Sequence, residues 1–207
     1  MQSNRSIEFF DAQFQRQARA GECQLNPFEI AALPYLSGRV LDYGCGMGNL
    51  ACELARRGGS VLALDASPAA ITHIQQRANA EQLPVQAMLA DLRDYELDES
   101  FDSVVCIGLL HFFDCPTAFR ALSRLQGRVR SGGIAVVNVL VDDTTYLGMF
   151  DQNNHCLFAR NELESRFAGW QILLLEFSQF DAPEQTTKAF ITLIAKKTIG
   201  ETPPMLR

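Results

Sequence analysis

Hydrophobic positions along the chain follow two alternating patterns, which predict strands and helices in turn. Short apolar runs of strand length recur at residues 40–42, 61–65, 85–90, 101–108 and 134–141. Between these runs, apolar residues recur every three or four positions, and Gly or Pro residues mark where each helix begins or ends. Because strands and helices alternate regularly, we predict an α/β domain built from parallel βαβ units.

The N-terminal part of the chain has a helical pattern of its own. The first helix is predicted over residues 6–20 from the spacing of Ile7, Phe10, Phe14 and Ala18. A second helix is expected to begin at Pro27 and to run to about residue 36. The chain is therefore divided into an N-terminal helical segment, a main domain and a frayed tail, at residues 1–36, 37–197 and 198–207.

The C-terminal third departs from the regular alternation. Residues 142–160 have no clean periodicity and follow a central strand, so we predict that they form a substrate-side segment. Asn161 and Glu164 then have the spacing of a capping box at a helix start. Two final strands are predicted over 170–177 and 189–195.

The first strand turns into a helix through three glycines, Gly44, Gly46 and Gly48. Such a turn lets a ligand approach bare backbone and directs a helix N-terminus towards it. The dinucleotide pattern G-x-G-x-x-G would need a glycine where Asn49 stands. The carboxylate of Asp42 would repel a pyrophosphate, but it suits a cationic group such as the ammonium of an amino acid.

A second acidic residue, Asp65, ends the second apolar run. An acid at the end of this strand can accept hydrogen bonds from both hydroxyls of a ribose. A ligand with an ammonium group and a ribose, but with no phosphate, is S-adenosylmethionine.

The segments D-Y-G-C-G-M-G-N, L-A-L-D-A-S and A-D-L resemble those of the class I S-adenosylmethionine-dependent methyltransferases, and the resemblance covers residues 28–197. It implies a doubly wound, Rossmann-like fold, in which a seven-stranded, mostly parallel sheet has helices on both faces and an antiparallel last strand. It also implies that Asp91 binds the adenine amino group and that the Leu92 backbone reaches the adenine ring. The full set of expected cofactor-binding residues is Asp42, Gly44, Cys45, Gly46, Asn49, Asp65, Ala66, Asp91, Leu92 and Ile107. The N-terminal segment would cover the cofactor as a lid, with Phe10, Arg16 or Arg19 near the methionine carboxylate.

A narrower resemblance concerns residues 157–170, which are similar to a segment of the tellurite-resistance methyltransferases and related thiol or small-molecule methyltransferases. Those enzymes are associated with a His-Arg pair between the last two strands. The corresponding stretch here, residues 178–187, contains neither residue type. The methyl acceptor, whether tellurite, a thiol or another small molecule, is therefore left open.

Methyl transfer from a sulfonium needs a general base only when the acceptor must lose a proton. His111 follows the fourth strand and is the first choice for such a base, although it could equally be a packed structural residue. His155 is a weaker choice, and His73 is expected at the surface. The reaction could also proceed without an indispensable catalytic side chain, through proximity and desolvation.

Composition restricts the partners of the protein. The 207 residues carry a formal charge of -6, which gives no electrostatic footprint for nucleic acid or an anionic membrane and favours a small-molecule substrate. The six cysteines include no C-x-x-C pair, and we interpret them as reduced thiols of a cytoplasmic protein without a metal site. The N-terminus lacks the apolar stretch of a signal peptide. Two alternatives remain beside the methyltransferase: an NAD-type oxidoreductase and a non-catalytic S-adenosylmethionine-binding partner subunit.

Overall fold

Seven strands form a single sheet in the order β3-β2-β1-β4-β5-β7-β6. In chain order the strands are β1 (Arg39–Tyr43), β2 (Ser60–Asp65), β3 (Val85–Leu89), β4 (Phe101–Ile107), β5 (Val129–Leu140), β6 (Gln171–Ala182) and β7 (Thr186–Lys196). The first five strands pair in parallel, whereas β7 pairs antiparallel with both β5 and β6. The predicted doubly wound sheet with its antiparallel last strand is confirmed.

The computed structural model describes residues 5–21, 23–150 and 154–199, without the side chains of residues 5–7, 9 and 18. The packing predicted for Ile7 and Ala18, the residues before position 5 and the tail beyond 199 lie outside this description. The α-helices are α1 (Arg5–Ala20), α2 (Pro27–Ala32), α3 (Asn49–Arg56), α4 (Pro68–Glu81), α5 (Cys115–Arg128) and α6 (Glu162–Arg166).

The sheet separates two apolar layers because side chains of successive strand residues point to opposite faces. In β1, Leu41 and Tyr43 pack with residues of α5 and α6, while Val40 packs with residues of α2, α3 and α4. Buried on both faces, the central strands have the nearly continuous hydrophobic sequences expected of a parallel sheet. The carboxyl ends of the parallel strands therefore all open at one edge, beneath α1.

The two helix starts with caps predicted from the sequence, at Ser67 and Asn161, differ in outcome. The Ser67 hydroxyl accepts a hydrogen bond from the Ala70 N–H and caps α4, as its sequence position predicts. The capping box predicted at Asn161 and Glu164 is wrong, because the Asn161 side chain makes no cap hydrogen bond. Asn161 already has helical backbone angles, and such a geometry turns its side chain away from the following N–H groups.

The stretch between the last two strands also differs from the prediction. Residues 178–187 were expected to form a loop, but β6 continues to Ala182 and β7 already begins at Thr186. Cross-strand pairing extends from the Phe177–Ile191 pair out to the Ala182–Thr186 pair, so that the hairpin is far longer than its apolar core. Its polar residues pair through backbone hydrogen bonds. The spacing of hydrophobic residues cannot predict such pairs.

The cysteines are not all reduced, which corrects the sequence prediction. Cys115 at the start of α5 and Cys156 form a disulfide, with their Cα atoms 4.7 Å apart. The Cys156 N–H donates to the His111 carbonyl, and this contact brings the irregular segment back beside α5. A pairing across this separation in sequence follows only from the tertiary fold. The disulfide also removes an observation on which the cytoplasmic location rested, and that location stays a prediction.

No helix within the described ranges is both long and apolar enough to cross a lipid bilayer. Within the same ranges, no group of His, Cys, Asp and Glu side chains is arranged to hold a metal ion.

The disulfide is open to a direct thiol count. In the denatured, unreduced protein we expect a chromogenic disulfide reagent to detect four thiols, from Cys23, Cys45, Cys52 and Cys106. After reduction the count should rise to six. The Cys115→Ser variant serves as a control, because its count should be the same with and without reductant. Six thiols before reduction would contradict the pairing.

Candidate functional site

A cavity of about 620 Å³ lies at the carboxyl ends of the parallel strands, beneath α1 and the start of α2. All the cofactor-binding residues proposed from the sequence line it, together with His111: Asp42, Gly44, Cys45, Gly46, Asn49, Asp65, Ala66, Asp91, Leu92 and Ile107. These residues follow four different strands, and the topology brings them together because parallel strands end at a common edge. His73 and His155 do not line this cavity.

The glycine turn between β1 and α3 is shaped for close approach. Gly44, Gly46 and Gly48 all have positive φ values, of 83°, 50° and 65°, a region that favours glycine. A Cβ atom on Gly44 would lie only 2.9 Å from the Leu109 side chain. On Gly46 it would lie 3.3 Å from the ring of Phe14 on α1, at the cavity wall. Any larger side chain at Gly46 would therefore occupy space between the turn and α1.

Asp65 at the end of β2 is held by backbone donors. The Gly46 N–H donates to one of its carboxylate oxygens at 2.8 Å, and the Ser67 N–H donates to the other at 2.9 Å. Burial raises the pKa of Asp65, whereas these hydrogen bonds lower it. The side chain thus fixes the glycine turn against the start of α4 and lines the cavity at the same time.

Asp42 at the end of β1 has a buried carboxyl group. It is only 5% exposed, and within the described ranges its Oδ2 atom has no hydrogen-bond partner. Burial, together with repulsion from the nearby Glu29 and Asp65, raises the pKa of Asp42 to about 8. A buried, unpaired acid is costly unless a cation or donor joins it. The ammonium of a methionine moiety would supply both, so this part of the cavity fits the cofactor implied by the sequence.

Two other predicted ligand residues already have protein partners. The Asn49 side chain donates to the Gln24 carbonyl and accepts from Arg77, and these bonds tie the start of α3 to α4 and to the segment before α2. Both carboxylate oxygens of Asp91 accept hydrogen bonds from the Arg93 guanidinium, at 2.9 and 2.6 Å. That guanidinium holds the pKa of Asp91 below its usual range.

His111 lies in a short 3-10 turn after β4 and is 2% exposed. Its Nδ1 atom accepts a hydrogen bond from the Leu140 N–H at 3.1 Å. Burial lowers the pKa of His111 to about 3, and the positive charge of Lys188 contributes in the same direction. The imidazole is therefore neutral near neutral pH. Because Nδ1 is the acceptor, the ring proton is on Nε2.

Helix α1 lies over the cavity and contributes apolar side chains to it. Phe10 packs edge-on against Phe112, with ring centroids 5.0 Å apart, and both rings line the cavity. Asp11 accepts hydrogen bonds from the Ser67 hydroxyl and the Ala69 N–H, which fasten α1 to the start of α4. Of the three residues proposed for the methionine carboxylate, only Phe10 lines the cavity, because Arg16 and Arg19 are exposed on the other side of the helix.

Some cavity residues were not identified from the sequence. Glu29 on α2, Asn138 on β5 and Lys188 and Phe190 on β7 all line the cavity. A period of two from Thr192 back to Phe190 and Lys188 would have indicated a common face. The predicted start of β7 at Ala189 excluded Lys188 from that pattern.

Comparison with known proteins gives the following similarities. Residues 40–133 match the family model described as methyltransferase domain. The chain is 28% identical over 165 residues to hemagglutinin 1 of Eikenella corrodens, a similarity that covers 77% of this chain and 54% of the relative. It is 35% identical over 135 residues to the magnesium-protoporphyrin O-methyltransferase of Rhodobacter capsulatus, over 64% of this chain and 58% of that protein.

Among solved structures, TehB from Haemophilus influenzae superposes with a TM-score of 0.74 and 20% identity, over 84% of this chain and 63% of that chain. This likeness concerns the fold. The chain spans about half the length of the curated relatives it matches. The predicted resemblance to the class I S-adenosylmethionine-dependent methyltransferases is confirmed.

The raised pKa of Asp42 predicts how stability depends on pH. Between pH 4 and about 8 the carboxyl group is protonated in the folded protein and ionised in the unfolded chain, so stability falls as pH rises. The free energy of unfolding can fall by at most about 1.4 kcal/mol per pH unit from this one group. We expect the ligand-free Asp42→Asn variant to gain melting temperature relative to wild type as pH rises over this range.

Asp102→Asn provides a control of opposite sign, measured by the same thermal unfolding. Hydrogen bonds from the Arg39 N–H and from Arg130 lower the pKa of Asp102, so its contribution is present at neutral pH and is lost in acid. The Asp102 variant should be less stable than wild type at pH 7, with a difference that shrinks below pH 4. A difference between Asp42→Asn and wild type that does not change with pH would show that Asp42 is ionised in the free protein.

Proposed function

Because the chain carries a class I S-adenosylmethionine-dependent methyltransferase domain, we propose that it transfers a methyl group from S-adenosylmethionine to a small-molecule acceptor. The observation that supports this proposal is the buried carboxyl group of Asp42 beside the glycine turn, whose Oδ2 atom has no hydrogen-bond partner among the described residues. This arrangement favours a ligand that carries an ammonium group, and the dinucleotides have none near their phosphates. The name of the Rhodobacter capsulatus relative supports an oxygen atom as the methyl acceptor, and thiol or metalloid acceptors are the alternatives to be screened.

Within this proposal each part of the cavity has a separate task. Asp42 holds the ammonium, the backbone at Gly44 and Gly46 borders the methionine moiety, and Asp65 accepts hydrogen bonds from the ribose. Four further predicted residues, Ala66, Asp91, Leu92 and Ile107, surround the adenine. Helix α1 serves as the lid, since Phe10 and Phe14 close the cavity above the turn.

Bound S-adenosylmethionine supplies an electrophilic methyl group on a sulfonium. The protein contributes alignment and a dry environment, which accelerate a displacement between oriented partners. The rings of Phe10, Phe112 and Phe190 line the cavity, and their apolar surfaces would keep water away from a bound methyl donor. A strongly basic side chain is not needed for an acceptor that is already anionic.

We assign His111 the role of a hydrogen-bond donor rather than a base. A base at Nε2 would need a free lone pair there, but the bond from the Leu140 N–H to Nδ1 leaves the proton on Nε2. His111 can therefore orient a substrate oxygen by donating to it. It does not take up a proton near neutral pH, because burial lowers its pKa to about 3.

A calorimetric titration tests the cofactor assignment. We expect micromolar binding of S-adenosylmethionine and S-adenosylhomocysteine and no binding of NAD. NAD binding alone would favour the oxidoreductase alternative. Binding without turnover of any acceptor would favour the non-catalytic partner subunit.

The glycine turn can be tested in the same assay with two matched substitutions. Gly46→Val fills the space below Phe14 and should weaken S-adenosylmethionine binding at least about tenfold. Gly58→Val introduces a side chain at another positive φ, where no atom lies within 4 Å, and should leave binding unchanged. Equal affinities of the two variants would place the cofactor elsewhere.

The protonation state of His111 can be read by long-range nitrogen–proton NMR of the imidazoles, with His111→Gln to assign its signals. The Nε2-protonated tautomer should persist from pH 8 to pH 5 without a titration step, since the pKa is lowered to about 3. A transition between pH 6 and 7 would restore His111 as a general base.

A further inference from the structure

Lys188 brings a positive charge into the cavity at the end opposite to Asp42. It is half-buried on β7 and lines the cavity together with Phe190, two residues further along the same strand face. Its Nζ atom lies 4.9 Å from the centre of the Tyr146 ring. Across the described part of the chain, no carboxylate forms a salt bridge with Lys188, whereas Arg39 and Arg93, for example, each have a carboxylate partner. A half-buried cation without an acidic partner is a natural site for an anionic ligand.

A second polar group faces the same end of the cavity. Asn138 is completely buried on β5, and its amide nitrogen donates to the Thr192 hydroxyl at 2.9 Å. Its Oδ1 atom has no partner among the described residues, although the side chain lines the cavity. An unsatisfied buried acceptor costs free energy unless a ligand donates to it. This end of the cavity therefore suits a molecule that has a polar group as well as an apolar surface.

The anion that we expect Lys188 to bind is not the carboxylate of the methionine moiety. In the sheet order, β7 lies three strand spacings from β1, which carries Asp42. Three spacings are roughly 14 Å. An α-carboxylate lies within about 3 Å of its own ammonium. If Asp42 holds the ammonium, the carboxylate of the same amino acid stays near the glycine turn, and the charge on Lys188 is left for a second molecule.

We propose that the methyl acceptor is a small carboxylic acid with an apolar or aromatic body, and that Lys188 pairs with its carboxylate. A carboxylate oxygen would attack the methyl carbon of the sulfonium while the carbon–sulfur bond breaks, so that the products would be a methyl ester and S-adenosylhomocysteine and no proton would need to be removed. This inference rests on the proposed methyltransferase function and specifies its substrate class. The aromatic body packs against Phe10 and Phe190, and a hydroxyl or amine on it donates to Asn138. Lys188 is thus a specificity-determining residue that touches the substrate and takes no part in proton transfer.

The test compares ligands that differ in charge but hardly in shape. Phenylpropanoate and phenylpropanamide are titrated into the protein by calorimetry, with and without saturating S-adenosylhomocysteine. We expect wild type to prefer the acid by about tenfold, as one partly desolvated charge-assisted hydrogen bond would give. The preference should decrease at high salt.

Substitutions then locate the preference. Lys188→Met keeps the apolar stem and should remove the preference, whereas Lys188→Arg should retain it. Lys196→Met is the matched control, because this exposed lysine lies at the other end of the same strand and its loss changes the net charge equally. Its preference should equal that of wild type.

Four outcomes would overturn the inference: wild type shows no preference, it binds neither probe, the preference survives in Lys188→Met, or Lys188→Met weakens S-adenosylhomocysteine binding as well. The last result would assign the lysine to the cofactor carboxylate. Failure of the proposed function looks different. In that case S-adenosylhomocysteine does not bind wild type, while the acid-amide comparison without it still reports on Lys188.

Discussion

The hydrogen bonds from the Gly46 and Ser67 backbone to Asp65 are the constraint on which the rest of the site depends. They connect three elements that are distant in sequence: the turn after β1, the end of β2 and the capped start of α4. Asp11 joins the same network from α1 through the Ser67 hydroxyl. One half-buried carboxylate thereby holds the glycine turn against the start of α4, the same helix start to which Asp11 fastens α1. Loss of the Asp65 carboxylate would release the turn from the start of α4.

The two ends of the cavity carry different ionisable groups. Asp42, Glu29 and Asp65 lie at the β1–β2 end, where burial raises the pKa of all three carboxyl groups, so that a bound cation favours their ionised forms. The β7 end carries Lys188. A cationic donor would bind beside the carboxyl groups, and an anionic acceptor would bind beside Lys188. The reacting groups would then meet over β4 and β5, between aromatic side chains that exclude water.

Much of the fold, and the part of the candidate site proposed for the cofactor, can be predicted from the sequence, since both depend on local patterns. Strand periodicity places Asp42, Asp65 and Asp91 at strand ends, and parallel topology then brings these ends to one edge. The part of the cavity near Lys188 depends on contacts between residues that are far apart in the sequence. Lys188 joins the cavity only because polar residues extend the β6–β7 hairpin, and Cys156 reaches Cys115 only because the irregular segment folds back. Neither contact can be predicted from a short stretch of the sequence.

The cavity wall around His111 suggests how a rigid frame could serve the proposed methyl transfer without a catalytic base. The Leu140 N–H fixes the His111 ring, the His111 carbonyl accepts from the Cys156 N–H, and the disulfide anchors Cys156 to α5. Each of these bonds restricts a group that lines or supports the cavity. None of the bonded groups is a proton acceptor that titrates near neutrality. An acceptor that arrives as a carboxylate brings its own nucleophilic electron pair. For such a substrate, orientation between Lys188 and a neutral His111 donor is sufficient, and a charged histidine would only repel the sulfonium.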